Sequence, residues 1–501
     1  MSNETRGLYR ADAMATSLGA GTASSVACRV IGLGRGVALA WLLTPSQFGL
    51  LGVALLLANV FTPICAAGLY EGIARYAPKH EVAGALRAFV TRAGLVVVVV
   101  AVSVGGALIL LGSAQLGPIF FVAEQVTSGE GPAVPNSAVG ASSSVTLTQL
   151  VLVCAIALAV YQSMLGLFQG LRMFRVRAVA ELLAAILFTL IAVTLAWQRS
   201  ATASTVMFSY AAASVVAVLA LAPGLVSRAF SMAGQDSPLA AGSVKALMKY
   251  SGWMAGTALV WHALCYYPMW YLLKVSGPEA VAPFHAARMV AQLLQVGAAV
   301  LIAVVTATVT RTWEQRGRDE AADELNVLTK AALVVFLVGG TLLLLAKPLV
   351  LGMFPEALAV GNSAYAPLLL FFLLAGVLSV LSIRLTLVEK PGLVLVAWLA
   401  GAFVNVVVSY ALIQSNDDAS SPTSVIGLAA WSSVAGIAMA VAVCLLLIHL
   451  QGLGVCGRCW VLMAAALAVG FGWPFALPVA IVIVALALRT TTLFSHEERS
   501  R

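Results

Sequence analysis

The stretch ATSLGAGTASSVACRVIGLGRGVALAWLL, residues 15–43, is long enough to cross a bilayer as a helix, yet Arg29 and Arg35 lie within its apolar length. A guanidinium stays charged in a protein, so at that depth it needs a polar cavity or a partner. The pair therefore reads as a candidate anion site inside a membrane protein. The plainer reading, a structural ion pair or hydrogen bonds to freed helix carbonyls, stands beside it.

Working outward, the 501 residues are 61% hydrophobic and only 10% charged, with a mean hydropathy of +1.00. Such a composition belongs to a chain whose solvent is lipid. Apolar runs of helical spanning length recur at 18–43, 48–69, 89–112, 147–168, 181–197, 203–224, 250–273, 282–308, 331–353, 365–386, 392–413, 425–449, 460–472 and 474–489. The expectation is an all-α polytopic membrane protein of about fourteen spans. Gly472-Trp473-Pro474 divides the last apolar region into two short halves, which could instead form a re-entrant pair.

Charge placement sets the expected orientation, because cytoplasmic loops retain Lys and Arg. With the N-terminus inside, 22 of the 28 basic residues fall on inner segments, and both termini are cytoplasmic. The expected location is the plasma (inner) membrane, with insertion through the first span rather than a cleaved signal peptide. The same distribution explains the net charge of +8 by orientation and anionic lipid headgroups, so nucleic acid is not an expected partner. Cys28, Cys65, Cys154, Cys265 and Cys444 lie in apolar spans, where a small soft side chain packs well. Cys456-Gly-Arg-Cys459 has C-x-x-C spacing without a second pair or nearby His ligands, and reads as an ordinary reduced pair rather than a zinc or redox site.

Residues 113–146, carrying PAVPNSAVGASSSV, read as a long outer loop, and 311–330 as an amphipathic interfacial helix. The organisation is two six-helix bundles: 1–224, a cytoplasmic linker at 225–249, then 250–449, with two extra helices and a tail at 450–501. Transporters built from repeated halves have this pattern, with the solute path between the halves. Spans 1, 7 and 8 would wall that path, and they hold Arg29, Arg35, Trp261, His262, Tyr266, His285 and Arg288. The His residues and aromatics have ordinary packing or membrane-interface roles as alternatives, and Asn405 could equally join two helices.

The stretch CRVIGLGRGVALAWLLTPSQFGLLGVALLLANVFTPICAAGLYEGIARYAPKH (28–80) resembles the opening of polysaccharide transporters in the MATE-like (multidrug/oligosaccharidyl-lipid/polysaccharide, MOP) exporter superfamily. Asn405 in FVNVVVSYALI, followed by IGLAAWSSVAG, is similar to that superfamily's later spans. Two arginines six apart, with Arg288 in HAARMVAQLLQVG, resemble the cavity arginines of lipid II flippases. The outer turn and second helix, TPSQFGLLGVALLLANV, instead match the oligosaccharide and O-antigen (Wzx-like) type.

The resemblance implies a flippase for an undecaprenyl-diphosphate-linked oligosaccharide, working by alternating access. Arg29, Arg35 and Arg288 would hold the diphosphate, with sugar or cavity contacts from Trp261, His262, Tyr266, His285 and Asn405. Membrane lipids are partners, with a polysaccharide polymerase or glycosyltransferases as further ones, and no cofactor or metal is expected. The rivals are a lipid II flippase and a cation-coupled drug antiporter. The latter usually wants a carboxylate deep in a span, whereas Glu71 and Glu181 lie at inner ends. A membrane glycosyltransferase is disfavoured, because no loop pairs carboxylates beside a nucleotide-binding fold.

Overall fold

The computed structural model describes residues 14–82, 84–121, 137–198, 202–231, 243–295, 309, 317–388, 390–414 and 422–470. The helices are α1 (Met14–Leu42), α2 (Pro45–Ala66), α3 (Leu69–Val82), α4 (Leu86–Ala107), α5 (Ser113–Phe121), α6 (Ser137–Gly170) and α7 (Phe174–Trp197). They continue with α8 (Ala203–Ser231), α9 (Ser243–Ala291), α10 (Arg318–Leu351), α11 (Asn362–Leu387), α12 (Pro391–Gln414), α13 (Pro422–Leu450) and α14 (Gly457–Gly470). Ten helical segments among the described residues are long and apolar enough to cross a membrane. The expected span at 474–489 lies outside the described residues, and that at 282–308 is described only to 295.

Local chemistry explains the boundaries. Thr44 caps α2 by accepting from the Gln47 N–H at 3.3 Å, and Pro45 follows in the first turn, where its missing N–H costs nothing. The helix ends where Ala67 and Gly68 turn left-handed, with φ of 45° and 66°. Gly68 also lets the backbone lie against Ser251, since a Cβ there would collide with the Ser251 carbonyl. Gly277 adopts φ 77° and ψ 177° and breaks α9 between its two apolar stretches.

Two expectations fail locally. Residues 113–121 and 137–146 are helical rather than loop: a π-helical turn at Leu108–Gly112 carries α4 into α5. Trp270 Nε1 donates to the Ile119 carbonyl at 3.0 Å and Lys274 Nζ to that of Pro118 at 3.3 Å, satisfying acceptors at the end of α5. The described part of 311–330 is no separate interfacial helix. From Arg318 it runs unbroken into the apolar residues of α10, so its mixed charges form the first turns of a spanning helix.

Backbone contacts divide the protein into two units, one within residues 1–266 and 270–282, the other within 267–269 and 283–501. In the first, Gly68 and Gly72 of the α2–α3 region press against Leu247 and Ser251, so the start of α9 packs with the helices before the linker. In the second, α12 and α13 cross closely at Gly401 and Gly436: a Cβ on Gly436 would sit 2.7 Å from the Gly401 carbonyl.

Candidate functional site

Along α7, Arg177, Glu181 and Phe188 recur at helical spacing on one stripe, with Thr189 beside the last. Helix α1 packs against α7, which brings Arg35 over that stripe. Its guanidinium carbon lies 3.8 Å from the Phe188 ring centroid, a close cation–π contact. Nη1 also donates to Thr189 Oγ1 at 3.4 Å, and the Thr189 hydroxyl in turn donates a hydrogen bond to the Ala185 carbonyl at 2.8 Å. Phe188 is held from behind by Tyr210 of α8, the rings stacked 4.5 Å apart at 14°. Among the described residues, every partner of Arg35 is therefore neutral.

Arg29 is exposed on α1, while Arg35 is half-buried. Arg29 lies within electrostatic reach of Tyr210, Cys28 and Glu181. Glu181 is itself paired with Arg177, Nε to Oε1 at 2.9 Å, and Arg177 also donates to Gln169 Oε1 of α6. Glu71, on α3 outside the spans, feels the same arginine. Burial raises its carboxyl above the usual carboxylate range, and the positive charge of Arg177 opposes that shift. Arg177 thus gathers Glu181, Gln169 and Glu71 in the first unit, and Glu181 also lies within reach of Arg29.

Three further residues lie in the first unit. Trp261 and His262 are half-buried on α9. Tyr266 is buried with its ring edge-on to Phe120 at 5.9 Å, and its hydroxyl has no hydrogen-bond partner among the described residues. The second unit holds the rest. Arg288 is buried with its guanidinium 5.7 Å from the Phe372 centroid, and His285 is buried one turn earlier. Asn405 is wholly buried, its Oδ1 accepting from Ser409 Oγ at 3.3 Å, and Ser409 meets Ser432 of α13 at 2.7 Å. That places Asn405 in a polar seam beside the Gly401–Gly436 crossing.

Sequence reading did not find Phe188 and Thr189, which hold Arg35, or Tyr210, which stacks behind Phe188. The signal available was the 177, 181, 188 stripe, but a Phe and a Thr in an apolar helix look like packing until a cation is seated on them. Among the described residues, no three His, Cys, Asp or Glu side chains are grouped to hold a metal ion.

The fold is that of a polytopic helical membrane protein. The comparisons agree with that class. A family model described as polysaccharide biosynthesis protein matches residues 18–313. The chain belongs to that family. A Pyrococcus furiosus MOP superfamily transporter, described as having a binding pocket of reversed polarity, superposes with a TM-score of 0.63 at 13% identity, covering 98% of this chain and 100% of that one. An outward-facing multidrug resistance MATE family transporter gives 0.61 at 13% identity, over 98% and 100%. A MATE protein in complex with MaL6 gives 0.62 at 13%, over 90% and 99%. These likenesses establish the MOP transporter fold. No curated protein matches the chain.

Proposed function

We propose that the protein is a flippase that carries a polyprenyl-diphosphate-linked oligosaccharide, of the undecaprenyl type, from the cytoplasmic to the outer leaflet of the plasma membrane. It would serve polysaccharide, O-antigen or exopolysaccharide assembly alongside glycosyltransferases and a polymerase. One observation carries this reading: Arg35 is a permanent cation in a spanning helix whose partners, a phenyl face and a hydroxyl, are neutral. A diphosphate is a matching occupant, because its oxygens accept in the planar, multidentate manner that guanidinium donates. Arg29, exposed on the same helix, extends the donor set. The lipid tail stays in the bilayer while the headgroup passes through by alternating access.

The test is translocation of a lipid-linked oligosaccharide by the purified protein in reconstituted vesicles. Arg35→Ala is expected to reduce transfer to that of protein-free vesicles while the variant still elutes as a folded monodisperse species. Normal transfer by the folded variant overturns the reading. Arg288→Ala, assayed in the same way, tests the contribution of the second unit.

A cation-coupled drug antiporter is the second reading, favoured by the two carboxylates, Glu71 and Glu181, gathered around Arg177. Uptake of a cationic dye driven by a proton or sodium gradient, with no transfer of glycolipid, would select it.

A further inference from the structure

Cys456 immediately precedes helix α14, which begins Gly457-Arg458-Cys459, and the Cys459 N–H donates back to the Cys456 carbonyl at 2.9 Å. That turn brings the two sulfurs to 3.0 Å from each other. The other five cysteines are distributed over α1, α2, α6, α9 and α13, one to each helix. The two thiols are unequal. Cys456 is half-buried, beside a connection in which Gly452 turns at φ 66°, whereas Cys459 is buried with Sγ 3.9 Å from the Asn326 carbonyl of α10.

Beside them lies Arg384 of α11, buried to 3% exposure. Its guanidinium donates to Asn326 Oδ1 at 2.9 Å and Thr329 Oγ1 at 3.1 Å, both neutral, and the side chains within its electrostatic reach are Cys459, Cys456 and Cys444. Burial pushes the Cys459 thiol up to about 12, and the positive charge of Arg384 works against that shift. An accessible thiol with a second, buried thiol in contact with it is the pair that thiol–disulfide exchange needs, one to attack and one to resolve.

We propose that Cys456 and Cys459 form a reversible thiol–disulfide site whose reaction partners are small-molecule disulfides and thiols of the glutathione class. The thiolate of Cys456 attacks one sulfur of the small disulfide, forming a mixed disulfide and releasing one thiolate. Cys459 then gives up its proton, attacks the Cys456 sulfur and expels the second thiolate. The protein loses two protons and two electrons, and the disulfide becomes two thiols. Closing the bond needs the sulfurs to move from 3.0 Å to about 2.0 Å, a shift that side-chain rotation within one helical turn supplies.

The test uses the full-length protein in reconstituted vesicles, equilibrated with reduced and oxidised glutathione at several ratios, then blocked with a maleimide and digested without reductant. Trypsin cuts after Arg458, so an internal disulfide joins two otherwise separate peptides. The expected result is that linked pair, growing with the oxidised fraction and lost on adding dithiothreitol, with no lasting glutathione adduct. Cys459→Ser should instead retain one glutathione on Cys456, and Cys456→Ser should leave Cys459 unmodified. Both cysteines still taking maleimide at every ratio overturns the proposal, as does a stable glutathione adduct on the wild type. A linked pair that dithiothreitol does not release overturns reversibility.

Discussion

Arg35 and Arg384 are both guanidinium groups within apolar helices, and among the described residues both have only neutral partners. They are held differently. Arg384 is sealed in, with two good hydrogen bonds to Asn326 and Thr329, which tie α11 to α10. Arg35 is half-buried, resting on the face of Phe188 with a single long bond of 3.4 Å to Thr189. A ring face attracts a cation without consuming its N–H donors, so Arg35 keeps most of its hydrogen-bonding capacity for something else. Charge inside a membrane protein thus has two uses, and the partners, rather than the residue type, tell them apart.

The comparison breaks most decisively at Arg35 itself. Arg35→Ala should abolish glycolipid transfer with little change in thermal stability. Arg384→Ala should do the reverse, costing about 1–3 kcal/mol by leaving buried acceptors unpaired, with normal transfer per folded molecule. Thermal unfolding and vesicle transfer, measured on both variants, check this; an exchange of the two outcomes would invert the assignment. A smaller effect is expected for Phe188→Leu, which removes the ring beneath Arg35 but keeps an apolar side chain. A cation–π contact is worth about 0.5–2 kcal/mol, so the cargo concentration giving half-maximal transfer should rise several-fold. The maximal rate should change less, and no shift in either quantity would show that Phe188 does not position Arg35. The smallest effect belongs to Asn405→Ala in the α12–α13 seam, expected to lower stability by about 1 kcal/mol without touching transfer. A selective loss of transfer there would return Asn405 to the cargo path.

Much of the fold was readable because spanning helices obey a one-dimensional rule: a run of apolar residues of bilayer length must hide its backbone inside itself. The reading was least accurate at the edges. Residues 113–121 lacked a pattern long enough to signal a helix, and they pack on α6 and accept hydrogen bonds from Trp270 and Lys274, more than 150 positions away. The C-x-x-C motif was visible as spacing, but spacing gave no indication that its sulfurs would meet beside Arg384.

The sequence by itself determined that this is a many-spanning helical membrane protein with two arginines embedded in its first span, because hydropathy and charge are properties of residues in order. Only the tertiary structure decided what those arginines touch. Phe188 and Thr189 lie some 150 residues from Arg35, and Asn326 and Thr329 more than 50 from Arg384. A cation's environment in a low-dielectric interior is set by whichever helix packs against it, which local sequence does not encode.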